Sequence, residues 1–223
     1  MIKIFAILLF FATSTHAKDS QCFGTTSLGR IDNSVQLPIK GDNFVIYNAL
    51  GNFLGRNYVH SKVYNVVINS YKQLAQSNPK LKFKYGETGW KNGGDFKPHK
   101  THQNGLSVDF MVPVTGKNGR SVYYATDLSN QFGYGIEFNG NGKYKDYSID
   151  FEVIALHLVQ LHKDSLKQGI GIFRVIFSPE FHSKLYQTTQ GKYLQKNLKF
   201  MKHKAWVRHD EHYHVDFKVK CKN

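Results

Sequence analysis

The spacing of apolar residues predicts most of the regular structure of this chain. From His60 to Ser77, Val63, Val66, Val67, Tyr71 and Leu74 recur every three or four positions, which predicts a helix with one buried face, and Asn78-Pro79 stops it. Leu81, Phe83 and Tyr85 alternate with Lys82 and Lys84, the pattern of a half-buried strand. Alternation resumes at Leu106, Val108, Phe110 and Val112, so Asp109 lies on the face opposite that apolar row. A second helix runs from Asp150, a natural N-cap, to Lys167, with Phe151, Ile154, Leu158 and Leu161 on one stripe and Gly169 just beyond its end. Residues 172–177 read as an apolar strand, and Pro179 opens a short helical segment. Near the C-terminus Tyr213, Val215, Phe217 and Val219 alternate with His212, His214, Asp216 and Lys218. Residues 18–57 suggest loops and short strands, and residues 116–148, rich in Gly, Asn and Asp, read as loops with one short strand. There are no internal repeats. Strands flanked by helices without a regular βαβ rhythm predict an α+β domain.

The first residues change the picture. Lys3, an apolar stretch from Ile4 to Thr13 and Thr15-His16-Ala17 read as a secretory signal peptide over residues 1–17, leaving one domain over 18–223. No apolar run is long enough to span a membrane, so no stable insertion is expected once the leader is removed. In an oxidising compartment Cys22 and Cys221, at opposite ends of the exported chain, are expected to pair; two free buried thiols are the alternative. The 223 residues hold 30 Lys and Arg against 16 Asp and Glu, a net charge of +14. That balance admits anionic wall polymer, nucleic acid or acidic lipid as a partner.

The candidate chemistry lies in the histidines. Of eleven, six fall in two windows: His99 and His102, then His203, His209, His212 and His214. His102 in a glycine-containing loop and Asp109 on the following strand can converge on one metal ion. Period two puts His212 and His214 on one strand face, where one imidazole can ligate a metal and the other reach the water or substrate beside it. Two His and one Asp with an open fourth position make a catalytic rather than a structural zinc arrangement. His60, His157, His162, His182 and His203 read as surface residues.

Gly93-Gly94, then His99-Lys100-Thr101-His102-Gln103-Asn104-Gly105-Leu106-Ser107-Val108-Asp109, and His209-Asp210-Glu211-His212-Tyr213-His214 near the end closely resemble the penicillin-insensitive murein endopeptidases. That family belongs to a wider group of zinc metallopeptidases with lysostaphin, the D-Ala-D-Ala peptidases and the hedgehog domain. The resemblance implies an α+β fold around a small antiparallel sheet, one zinc ion and hydrolysis of peptide cross-links or stem peptides of peptidoglycan in the periplasm or outside the cell. It implies that His102, Asp109 and His214 are zinc ligands and that His212 stands beside the attacking water. It also implies that His99 and His209 orient substrate or hold a second ion. Glu211 departs from the family's usual aromatic residue at its position, while related D,D-peptidases carry a glutamate there as general base. The base is therefore read as Glu211, with His212 as its electrostatic partner and as the alternative base, and the bond cut is D,D or L,D. A catalytically inactive, cationic, zinc-containing wall-binding protein is the alternative. A secreted nuclease is disfavoured, because the basic and aromatic residues form no nucleic-acid module.

Overall fold

The computed structural model describes residues 19–203, 205 and 207–223, and the leader expected at residues 1–17 lies outside them. Five strands form the central sheet: β1 (Phe44–Ile46), β2 (Phe83–Tyr85), β3 (Ser107–Met111), β4 (Gly171–Ile176) and β5 (His212–Lys218), in the order β4-β5-β3-β2-β1. All neighbours run antiparallel except β1 and β2, which are parallel. Two long helices, α1 (Ser61–Ser77) and α2 (Phe151–Lys167), accompany it, and the fold is α+β. No described helix is long and apolar enough to cross a membrane.

The sheet's two faces differ in kind because side chains alternate along each strand. On one face Val108, Phe110, Tyr213, Val215 and Phe217 join the buried residues of the helices, among them Val66, Tyr71, Ile154 and Leu158. On the other, Ser107, Asp109, His212, His214 and Asp216 are equally buried but polar. The β3–β5 register sets His214 opposite Asp109 and Asp216 opposite Ser107. This pairing brings the two histidine windows together across more than a hundred residues of chain.

The helices begin as their sequences dictate. His60 caps α1 by accepting from the Lys62 amide, and Asp150 caps α2 by accepting from the Val153 amide. Two histidines expected on the surface are instead internal. His60 is buried at its cap, and His157 is fully buried, packed against Tyr71, Phe83 and Phe110 with its Nδ1 on the Tyr213 hydroxyl. Its place between Ile154 and Leu158 puts His157 on the core stripe of α2.

Residues 116–148 hold more order than their composition predicts. Val114–Thr115, Ser121–Val122, Lys143–Tyr144 and Tyr147–Ile149 form a second, four-stranded antiparallel sheet, and Leu128–Gly133 turns as a short 3-10 segment. Strands of two or three residues are too short to show an alternation of their own. At the N-terminal end, Gln21–Thr25 and Leu28–Asp32 pair as a hairpin, and Cys22 in it is bonded to Cys221.

Candidate functional site

Asp109 is the hub of the site. Its Oδ1 lies 2.9 Å from His214 Nδ1 and 3.3 Å from His102 Nε2. Its Oδ2 accepts the Tyr134 hydroxyl at 3.0 Å and faces His99 Nδ1 and His212 Nε2, each 3.8 Å away. Burial alone would raise the Asp109 pKa, but the imidazoles around it, His102 first, hold it well below the usual carboxylate range. Glycine makes room for the hub: a Cβ at Gly86 would stand 2.5 Å from the Tyr134 hydroxyl oxygen and 3.1 Å from the Asp109 Cβ.

His102 sits in the loop before β3 with a left-handed φ of 71°, a conformation that costs a non-glycine residue roughly 1–3 kcal/mol and concentrates at functional sites. Its Nδ1 is held by the Thr88 carbonyl at 3.0 Å. The Nε2 is buried, makes no hydrogen bond, and points at the Asp109 carboxylate. An unsatisfied buried nitrogen is costly, and a cation bound there would relieve it. Ligand atoms of His99, His102 and Asp109 lie within 4.8 Å of one another, so these three can hold a metal ion.

His214 is held by carboxylates at both nitrogens: Asp109 on Nδ1 and Asp216 Oδ1, 2.8 Å away, on Nε2. Burial works against its charged form, but Asp216 and Asp109 overcome it and raise its pKa to about 10. Asp216 in turn accepts the Ser107 hydroxyl at 2.6 Å and Arg174 Nε at 2.6 Å. A carboxylate behind an imidazole is the arrangement that orients metal-binding histidines.

Glu211 lies in the turn just before β5, 2 % exposed. One of its carboxylate oxygens meets His212 Nδ1 at 2.7 Å and the other accepts the Asp210 amide at 3.1 Å. Burial raises the Glu211 pKa well above normal and lowers that of His212 to about 4. The His209 ring stacks obliquely on His212 at 4.5 Å, and burial drives its pKa down to about 3.

A cleft of about 450 Å³ opens over this arrangement, with His99, His209, Glu211, His212, Phe132 and Tyr134 in its wall. His102, Asp109 and His214 form the layer beneath. The structure thus brings together all seven histidine and acidic residues singled out in the sequence. It also adds residues that the sequence reading passed over. Glu87 binds Tyr47 at 2.7 Å, Arg56 through both carboxylate oxygens and His99 Nε2 at 2.6 Å. Burial would raise its pKa, but His99 and Arg56 bring it down to about 2. Asp216 carried a signal, since it shares the period of His212 and His214; Glu87, Arg56 and Tyr134 had none beyond their residue types.

The sequence profile of the penicillin-insensitive murein endopeptidases matches residues 22–223, nearly the whole chain. No curated protein matches it.

Proposed function

The chain belongs to the penicillin-insensitive murein endopeptidase family, whose activity is on peptidoglycan, outside the cytoplasm, and from that membership we propose a zinc-dependent endopeptidase that hydrolyses the peptide cross-links of peptidoglycan. The observation that carries the metal reading is the buried, unbonded Nε2 of His102 facing Asp109. His102, Asp109 and His214 would hold the ion, with His99 directed at the same carboxylate. The donor set, imidazoles with one carboxylate, suits zinc. When bound, such an ion acts as a Lewis acid that polarises the scissile carbonyl and makes water nucleophilic at neutral pH.

The protein's own groups supply the rest. Asp216 keeps the His214 ring oriented through Nε2, leaving Nδ1 to face Asp109, where it would help to hold the ion. Glu211 and His212 share a proton across their 2.7 Å contact. Neutral His212, backed by Glu211, accepts a proton from the attacking water, and the pair returns it to the leaving amine. His209, against His212 at the cleft wall, orients the substrate. A proton-handling pair lining the cleft favours catalysis over a role confined to wall binding.

The exported form is proposed to begin near Lys18 after leader cleavage. Elemental analysis of purified protein should find about one zinc per chain, and His214→Ala should remove it. Full zinc occupancy in that variant would sink the ligand assignment.

A further inference from the structure

Between Phe181 and His209 the chain carries seven basic residues and no Asp or Glu. The run starts on two short helices, α3 (His182–Tyr186) and α4 (Gly191–Asn197), which pack on α2 behind the central sheet. It then comes over the free edge of β4, where Val175 donates to the Lys199 carbonyl and accepts from the Met201 amide, both at 2.9 Å. It ends at His209 in the cleft. Lys192, Lys196, Lys199 and Lys202 are exposed, and among the described residues neither they nor Lys184 form an ion pair. Arg208 is different, being tied to Asp210 and Glu137. Glu152, on α2, is taken up by the amide and hydroxyl of Thr189.

At the cleft end lies a second hollow of about 410 Å³, walled by Asn139, Phe177, Ser178, Arg208 and one carboxylate, Glu180, which accepts from the Ser178 hydroxyl. Val207 and His209 line both this hollow and the catalytic cleft, so the two adjoin across that ridge. An enzyme that cuts a cross-link must hold two strands, one on each side of the scissile bond. A small anion needs one site, whereas exposed lysines strung from the helices behind the sheet to the edge of β4 fit a polymer.

We propose that the second hollow receives the stem peptide on the far side of the scissile bond, and that the lysine face beyond it binds the carboxylate-bearing polymer to which that stem belongs. This rests on the proposed activity and adds where the second strand runs. The face acts by long-range attraction, so it raises affinity for polymer and leaves the chemical step alone.

The test compares the exported chain with a variant carrying Lys192→Gln, Lys196→Gln, Lys199→Gln and Lys202→Gln. A second variant removes the same charge elsewhere, through Lys62→Gln, Lys72→Gln, Lys80→Gln and Lys91→Gln. Co-sedimentation with purified peptidoglycan sacculi at low and high salt reads binding, and cleavage of a soluble cross-linked muropeptide dimer reads chemistry. The first variant should lose about tenfold or more in sacculus affinity at low salt, with a flattened salt dependence. It should cleave the dimer at the wild-type rate, and the second variant should bind sacculi as wild type does. Unchanged sedimentation of the first variant would overturn the proposal. So would equal losses in both variants, which would reduce the effect to net charge, or wild-type binding to anionic phospholipid vesicles as tight as to sacculi. Failure of wild type to cut the dimer would refute the activity instead, and sedimentation would still report on the face.

Discussion

Asp109 concentrates the negative charge of the site, with three imidazoles, a tyrosine hydroxyl and the Nδ1 of His214 all turned toward its two oxygens. Around it the proton inventory divides. His214 is held charged between two carboxylates in the metal-free protein, and His212 is held neutral by burial. Glu211, with its raised pKa, can carry a proton at a pH where an ordinary glutamate cannot. Glu211→Gln should therefore keep zinc but lower turnover by about 10²–10⁴-fold, the usual worth of a general acid–base group. Steady-state kinetics with zinc content measured alongside checks this, and His212→Ala should be at least as damaging. Activity within a few-fold of wild type in the glutamine variant would confine the proton transfer to His212. At this scale Asp109, His212 and His214 were readable because strand parity fixes which side chains share a face, and His102 because it stands in the loop just before the strand of Asp109. Glu87 and Tyr134 were not, because what recruits them is contact with His99 and Asp109 from segments distant in the chain.

Elements behave differently according to their length. Helices α1 and α2 and strands β3 and β5 announce themselves through several turns or repeats of periodicity, and the two strands carry Asp109, His212 and His214 of the site. The four-stranded sheet of residues 114–149 gives no such signal, because each strand contributes only two or three residues. His157 shows a subtler failure. Its residue type reads as polar surface, yet its place on the stripe of α2 assigns it to the core. The consequence is a pH effect on stability. In the unfolded chain the imidazole titrates near 6.5, and burial lowers it to about 3 in the folded one. Between those values the unfolded chain binds a proton that the folded chain does not. His157 therefore costs nothing above about pH 6.5, and stability falls as pH drops from there toward 3. His157→Asn should lower stability at neutral pH through lost packing but flatten that decline relative to wild type. Denaturant unfolding at a series of pH values measures both, and parallel pH profiles would contradict the assignment.

Across the whole molecule, the Cys22–Cys221 bond closes a loop of 199 residues and ties the N-terminal hairpin to the end of β5, with Gly24 and Lys222 adding backbone hydrogen bonds beside it. In the chain-entropy account a loop of that length stabilises by up to about 5 kcal/mol. Cys22→Ser combined with Cys221→Ser should thus lower the unfolding temperature markedly, while a Tm within a degree or two of wild type, read by calorimetry, would show that the rest of the fold carries the stability. The pairing was readable from two cysteines in a chain whose first residues read as an export signal, and the fold class from the order of helices and strands. The parallel pairing of β1 with β2 was not, since nothing local distinguishes it from the antiparallel pairs.

The central claim is that this fold joins a buried His–Asp metal centre to a cleft that cuts wall cross-links. Mass spectrometry of muropeptides after digestion of cross-linked peptidoglycan tests it most directly, with untreated, chelator-treated and zinc-restored protein side by side. Cross-linked dimers should give way to monomers with uptake of one water per cut, stop doing so after chelation, and do so again once zinc is returned. Dimers that persist with zinc-loaded protein, or cleavage that survives complete metal removal, would contradict it.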